Sequence, residues 1–421
     1  MSAVQRNAGR RRLTQSELDM MLTAHERFVT GKPGGKRASL RFVDMSGLDF
    51  SMRNLNDADL SASIFDSCRM IRVQMVRANL FGCDLRKADL RQANMQRADL
   101  RGVCLRGANL SMADLTQADF REGQIAIPHP SRGLDSLRHE ARAGEADGAN
   151  FSGAKLDGSQ FEGASAFKAD FSDCSMRGAK LTGANLKDAN MSGAILDGAD
   201  VGGANLEGAN LRGAVLTNCD ISIARTFGAD LAGALRAPTD EAVERAPALV
   251  DMAKGNQAWC ESGGQRGAPA NFAGADLRML GDALKGFRLT AMNARGACLM
   301  GLDLSGAQLQ GANLQDADLR AANLRGADLR GARLNGANLT KADLRQAYLG
   351  PLTLSADRAN PANASGAILR YALLHAADLS FAVLDEADVR GADFTGTRLV
   401  KTSIRGCELE QAIGADFASQ N

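Results

Sequence analysis

The sequence predicts an all-β solenoid, a chain wound into stacked coils, and three observations carry that reading. From Asp303 to Leu354 a leucine recurs at every fifth residue: Leu304, Leu309, Leu314, Leu319, Leu324, Leu329, Leu334, Leu339 and Leu344. With that leucine as position i, position i−2 is small (Ala312, Ala317, Ala322, Ala327), i−1 is mostly Asp or Asn, and i+1 and i+2 are polar or glycine. A period of five fits neither regular element. On an α-helix it advances about 140° per repeat and smears the leucines around the surface. On a flat strand it sends successive leucines to opposite faces. A chain that turns once per repeat instead sends one large and one small apolar side chain inward each time. Composition agrees: 421 residues with 45 glycines, 5% aromatics and one tryptophan suit a long narrow core better than two or three globular ones.

The tandem A(D/N)LxX pattern resembles the pentapeptide-repeat family over most of the chain. The resemblance implies a right-handed quadrilateral β-helix in which four pentapeptides make one square coil. Position i would then form an inward Leu/Phe/Met ladder, with i−2 filling the corners.

Residues 1–39 lie outside the repeat and predict an N-terminal helical cap. Ser16 followed by Asp19 marks a helix start, and Leu18, Met21, Leu22, His25, Phe28 and Val29 form an apolar stripe at helical spacing. Gly31, Pro33, Gly34 and Gly35 stop it. A cap over the first coil is favoured over a partner-binding helix, because an open coil exposes unpaired strand edges. Its eight Lys/Arg against three acids leave a weak nucleic-acid or anion contact as the third reading.

Repeat block 1 spans 40–125, with Leu40, Met45, Phe50, Leu55, Leu60, Phe65, Met70, Met75 and Leu80 at i and the register continuing to Phe120. Arg86, Arg91, Arg101 and Arg106 at the outward i+1 position would stack as a basic stripe, but Asp84, Asp89 and Asp99 nearby point to local neutralisation. A non-repeat insert covers 126–148. Pro128 and Pro130 end the strand pattern there, and Asp135–Ala143 reads as a short helix. It gathers the candidate partner-binding residues His129, Arg132, Arg138, His139, Glu140 and Arg142, since an excursion from a regular scaffold is where function concentrates. The competing reading is an ordered insert packed on one face, its His and Arg bonded to backbone carbonyls.

Block 2, 149–235, places glycine at i+2 repeatedly, as tight corners require, with bulges expected at the off-pattern Ala166 and Thr226. Residues 236–271 form a connector with a second cap: Thr239 is the N-cap, and Val243, Leu249, Val250 and Met252 are the apolar side, with Trp259 as its core. Its end echoes the first cap, His25…Phe28…Gly34-Gly35…Ala38 against Asn256…Trp259…Gly263-Gly264…Ala270 with one residue inserted. Two modules follow, 1–235 and 236–421. Block 3, 272–409, slips by two residues near Gly281 and loops out at Ser355–Ala364, and 410–421 is a C-terminal tail.

Net charge is +1 and no stretch is apolar enough to span a bilayer; the basic start lacks a hydrophobic signal core, so the expectation is a cytosolic protein. Cys68, Cys83, Cys174, Cys219 and Cys407 fall at i−2 as small fillers, Cys104 and Cys298 at i−1, and Cys260 in the linker. There is no CxxC or Cys/His cluster, phosphate loop or nucleophile elbow. No catalytic residue, metal site or cofactor is therefore predicted, and the chain reads as a non-enzymatic binding or scaffolding rod. The expected partner is a protein rather than a small-molecule substrate, nucleic acid or the membrane interior, with a homodimer left open. The resemblance supplies an alternative, DNA-like mimicry that modulates a type II topoisomerase such as gyrase. That mimicry needs a strongly acidic surface, which a near-neutral chain does not offer.

Overall fold

The N–H of Leu55 donates to Gln74 O at 2.6 Å and that of Asp57 to Val76 O at 2.9 Å, both one coil ahead. Ala58 N donates back to Leu55 O and Asp59 N to Ala38 O, each at 3.1 Å. Each pentapeptide thus closes one four-residue turn and lends one residue to a parallel ladder. The turn has positive φ at its third residue, i+2, as at Asp57 (61°) and Gly47 (76°), which is the type II geometry. Many i+2 residues are not glycine, including Lys87, Gln92 and Arg97. Left-handed backbone costs an L-residue about 1 kcal/mol or more, and here the ladder bond made by the same residue offsets it.

Parallel bridges join i−1 residues twenty apart, as in Ser39↔Asp59↔Asn79↔Asp99, so the coil has four sides. The remaining backbone groups complete the account. The i+1 N–H goes to the Asp or Asn side chain at i−1, as Ser46 N does to Asp44 Oδ1 at 3.0 Å. In the regular coils the carbonyl at i+2 is the one acceptor left over.

The computed structural model describes residues 10–129, 133–355 and 358–415, with 125–129 and 133–139 described as backbone only. The chain divides into two units, Met1–Ala237 and Pro238–Asn421. In the first, strand β1 (Arg11–Arg12) runs parallel to β2 (Val43–Asp44), and helix α1 (Gln15–Val29) lies between them in sequence. The N-cap of α1 is Thr14, not Ser16: its side chain and that of Glu17 form a reciprocal capping box, which Ser16 has no N3 glutamate to complete. Leu18, Leu22 and His25 are buried, while Met21 and Phe28 remain substantially exposed.

One core runs from Leu13 to Leu216, built of the i and i−2 side chains. Where blocks 1 and 2 meet it is aromatic: Phe120 stacks on Phe161 with centroids 4.1 Å apart and Phe151 on Phe171 at 4.8 Å. The coil continues across the insert, because Cys104 bridges Glu145 and Asp119 bridges Gln160. Ala166 is buried in regular register, with no bulge, because the preceding Ser165 keeps its bridges to Glu145 and Asn185. Nor does the ladder shift at Thr226; the departure is a 3-10 turn at Ile221–Ile223, capped by Asp220.

The second unit opens with helix α2 (Asp240–Glu261), N-capped by Thr239. Its buried residues are Leu249, Ala253 and Asn256; Val243 and Met252 are exposed and Trp259 is only partly buried, so Trp259 is not the cap's core. Cys260 belongs to this helix rather than to a linker. Both helices end alike. Gly31 N and Lys32 N return to Phe28 O and Arg27 O, and Gly263 N and Gly264 N to Cys260 O and Trp259 O, the paired bonds of a Schellman motif. The repeat then slips by two, Asn271 bridging Asn293, with a short 3-10 turn at Arg278–Leu280. A hairpin of β5 (Leu352–Ser355) and β6 (Arg358–Asn360) is looped out before Arg333↔Asn363 restores the coil. The ladder reaches Ile413, into the segment expected to be tail.

Candidate functional site

The insert of the first unit is a β-hairpin. Strands β3 (Gly123–His129) and β4 (Gly133–Arg142) pair antiparallel, so the helix expected at Asp135–Ala143 is absent. Helical propensity in that stretch yields to pairing with Gly123–Ile127. Pro128 does not end the strand; it sits beside the register shift between Pro128 and His129, where a bulge spares proline a ladder bond. The excursion leaves the coil at Gly123 and coil pairing resumes at Glu145, narrower at its end and earlier at its start than 126–148. A Cβ at Gly144 would strike Phe120 O, so that gatepost of the hairpin requires glycine, whereas one at Gly123 would lie 2.6 Å from Phe81 Cε2 and push the ring aside.

One face of the coil stack carries the hairpin and the N-terminal strand together. Arg142 donates from Nε to Gly102 O at 2.6 Å and from Nη2 to Gly82 O at 2.9 Å. Arg10 donates from Nη1 to Ala62 O. Ala62, Gly82 and Gly102 are the i+2 carbonyls of three successive coils, so two guanidinium groups occupy three of the leftover acceptors. Ser63, Ile64, Asp84 and Cys104 on the same face are buried beneath them. Burial pulls both Arg10 and Arg142 below their ordinary value, while the carboxylate of Asp84 pulls the other way.

The sequence-predicted residues distribute as follows along the hairpin. His129 is opposite Gly133, Arg138 opposite Ile127, His139 opposite Ala126, Glu140 opposite Ile125 and Arg142 opposite Gly123. The two histidines therefore do not pair across the strands. Glu140 is exposed, Arg142 is anchored to the coil, and Arg132 lies outside the described residues. Sequence reasoning missed Arg10, read only as part of the basic start. No local signal pointed to it, since its acceptor, Ala62 O, lies 52 residues further along the chain and belongs to no glycine.

The arginine stripe is neutralised as expected. Arg86, Arg91 and Arg101 each fork onto the Asp two residues earlier, with Nη2–Oδ2 distances of 2.7 Å. Arg320, Arg330, Arg345 and Arg390 repeat the fork in the second unit. Burial pushes the Cys68 and Cys83 thiols up to about 12, and each sulfur donates to a backbone carbonyl, Met45 O and Leu60 O, as filler with a weak hydrogen bond. Among the described residues no group of three or more His, Cys, Asp or Glu is placed to hold a metal ion, and no helix is long and apolar enough to cross a membrane.

No curated protein matches the sequence. Solved structures it resembles include QnrB1, a plasmid-mediated fluoroquinolone resistance protein (19% identity over 49% of this chain and 89% of that one, TM-score 0.23). HetL, involved in heterocyst differentiation regulation in the cyanobacterium Nostoc sp. strain PCC 7120, is 21% identical over 93% of this chain and 96% of its own, TM-score 0.13. A pentapeptide repeat protein of the Arabidopsis thaliana thylakoid lumen is 27% identical over 27% and 69%, TM-score 0.17. The profile for pentapeptide repeats matches eight times, at 54–92, 74–111, 83–121, 147–183, 184–222, 312–350, 362–396 and 372–411. These matches take in more than half of the sequence, and with the twenty-residue, four-sided coil they make this chain a member of the pentapeptide repeat family, folded as a right-handed quadrilateral β-helix.

Proposed function

We propose that this protein is a non-enzymatic scaffold whose regular polar faces and β3–β4 hairpin are read by a protein partner. One observation carries the proposal: the coil pairs across the hairpin, Cys104 to Glu145, so the hairpin is not needed to close the solenoid, yet Arg142 fixes it on one face. An excursion anchored at its base, with Glu140 exposed, suits recognition. The proposal extends to His129, Arg138 and His139 by their position on the hairpin and to Arg132 by sequence alone, whereas Arg142 acts as the anchor. A filled Leu/Ala interior and self-neutralised faces favour binding over catalysis. The eight free cysteines favour a reducing compartment, the cytosol. The alternative, mimicry of DNA toward a type II topoisomerase, has the Arg–Asp forks and the net charge of +1 against it.

The test replaces residues 123–142 with a short Gly-Ser loop and compares capture from the source organism's lysate with that of the full-length chain. A partner held by the full-length chain and lost from a still-folded variant supports the hairpin as recognition element. Retention of the partner moves recognition to the coil faces. Inhibition of gyrase supercoiling by the purified protein would overturn the ranking of the two readings.

A further inference from the structure

The two cap helices are latched by the same pair of hydrogen bonds, made by chemically different side chains. In the first unit the buried His25 accepts the Ala38 N–H on Nδ1 at 3.0 Å. The neutral ring then carries its proton on Nε2, which donates to Asn56 O at 3.0 Å. In the second unit the buried Asn256 accepts the Ala270 N–H on Oδ1 at 2.8 Å and donates from Nδ2 to Thr290 O at 3.2 Å. The bonded positions correspond. Ala38 and Ala270 stand two residues before the first inward side chains, Leu40 and Phe272, and Asn56 and Thr290 follow the inward Leu55 and Leu289.

An amide makes this bridge at any ordinary pH, whereas an imidazole makes it only when neutral. We propose that His25 is an acid-labile latch: protonation of Nδ1 sets two N–H groups against each other and loosens the C-terminal turns of α1 and the return segment to Ala38, while the cap latched by Asn256 stays closed.

The surroundings offer the imidazolium little compensation. Glu26, next along the helix, is already engaged by Arg53 Nε at 2.8 Å and by Asn54 N at 3.2 Å. Asp57 on the coil is held by Arg77 Nη2 at 2.7 Å. Arg37 on the return segment, bonded to Asp57 O at 2.7 Å, adds like charge. The Phe28 ring stacks beside the imidazole at 6.0 Å. Burial pulls His25 below its ordinary value and Arg37 reinforces that, while the Asn56 carbonyl, Glu26 and Asp57 oppose it without prevailing. Because the closed cap binds the proton more weakly than the open one, closure is at full strength above the open-state value of about 6.5. It is lost as pH falls from there through the lowered value, by up to about tenfold in the opening equilibrium per pH unit for one proton. Arg53 on Asp19 and the Gln15–Asp49 bonds keep the helix start attached.

Hydrogen exchange of the full chain, read by mass spectrometry in segments 18–38 and 249–270 and corrected for intrinsic rates, tests this between pH 7.5 and 5. Protection of the first segment should fall several-fold to tenfold below pH 6.5 while the second holds. His25→Asn should remove that acid response, and Asn256→His should confer one on the second cap. First-cap protection that does not change with pH, or an undiminished acid response in His25→Asn, overturns the proposal. If His25→Asn leaves the first cap unprotected at every pH, Asn256→His decides alone, and absence of an acid response there overturns it.

Discussion

Asp328 bridges Gln308 behind it and Tyr348 ahead, which stacks the neighbouring Leu329 between Leu309 and Leu349 in adjacent coils, all three buried. The ladder bonds hold each coil at fixed spacing, so a shortened side chain leaves a cavity that its neighbours cannot fill. Leu329→Ala is therefore expected to cost toward the upper part of about 2–5 kcal/mol, measured by urea denaturation of the second unit. The outward pair behaves differently. Asp328 accepts the Arg330 N–H at 3.1 Å, the guanidinium at Nε (2.9 Å) and Nη2 (2.6 Å), and Gln310 Nε2 at 2.7 Å. Arg330→Ala removes only a half-exposed fork and should cost less than about 1 kcal/mol. Asp328→Ala also strands a backbone N–H and should cost about 1–2 kcal/mol. Burial raises the Asp328 carboxyl, yet Arg330 and the N–H outweigh it, and the group rests below its ordinary value. Asp119, Asp276, Asp343 and Asp388 share this balance. A carboxylate lowered by folding contributes stability above an unfolded value of about 4 and loses it as pH falls through the folded one. The melting transition of the second unit, whose cap is latched by Asn256 and not by a histidine, should be flat from pH 7 to 5 and drop below 4.

Each cap helix is closed by a glycine on its return segment, and the counterpart of Gly35 is Gly267, not the Gly264 that the sequence aligned with it. A Cβ on Gly35 would fall 2.5 Å from Phe28 Cα, and one on Gly267 would strike Gly255 O; both residues stand three before the latched alanine, Ala38 or Ala270. Gly264, matched to Gly35 by sequence, instead completes the Schellman turn. Gly35→Ala should unseat α1 at a cost of about 1–3 kcal/mol or more, since backbone and not a flexible side chain must move. Gly31→Ala meets open space and adds only left-handed strain, about 1 kcal/mol. Loss of hydrogen-exchange protection across 18–38 in the first variant but not the second would check the contrast. These elements also show why legibility was uneven. The N-cap at Thr239, the two-residue slip and the coil register were readable because they rest on residues within five or so of one another. The hairpin was not, because Asp135–Ala143 has no local signal strong enough to choose strand over helix. The anchorage of Arg142 depends on carbonyls at Gly82 and Gly102, far back in the sequence.

At the scale of the whole molecule, stability in a solenoid is the sum of coil and nearest-neighbour terms, so what matters is where the stack is interrupted. Each unit has its own cap helix and its own core, one from Leu13 to Leu216 and the other from Leu249 to Leu399. That arrangement predicts two separately folding bodies. Met1–Ala237 and Pro238–Asn421, produced as individual chains, should each unfold cooperatively, with midpoints matching two transitions in the full-length protein. A midpoint lowered by more than a few degrees in either fragment would mean that the units stabilise one another. The cap supplies a sharper version of the test. Starting the second fragment after α2 removes Leu249, Ala253 and Asn256, leaves the Ala270 N–H without its acceptor and exposes Phe272 and Leu280 at an open coil end. Buried apolar area is lost at about 25 cal/mol per Å² together with the latch, so this shorter fragment should be less stable by several kcal/mol and prone to edge-to-edge association. Equal stability with and without α2 would show that the coil needs no cap, and would remove the physical reason for the second helix.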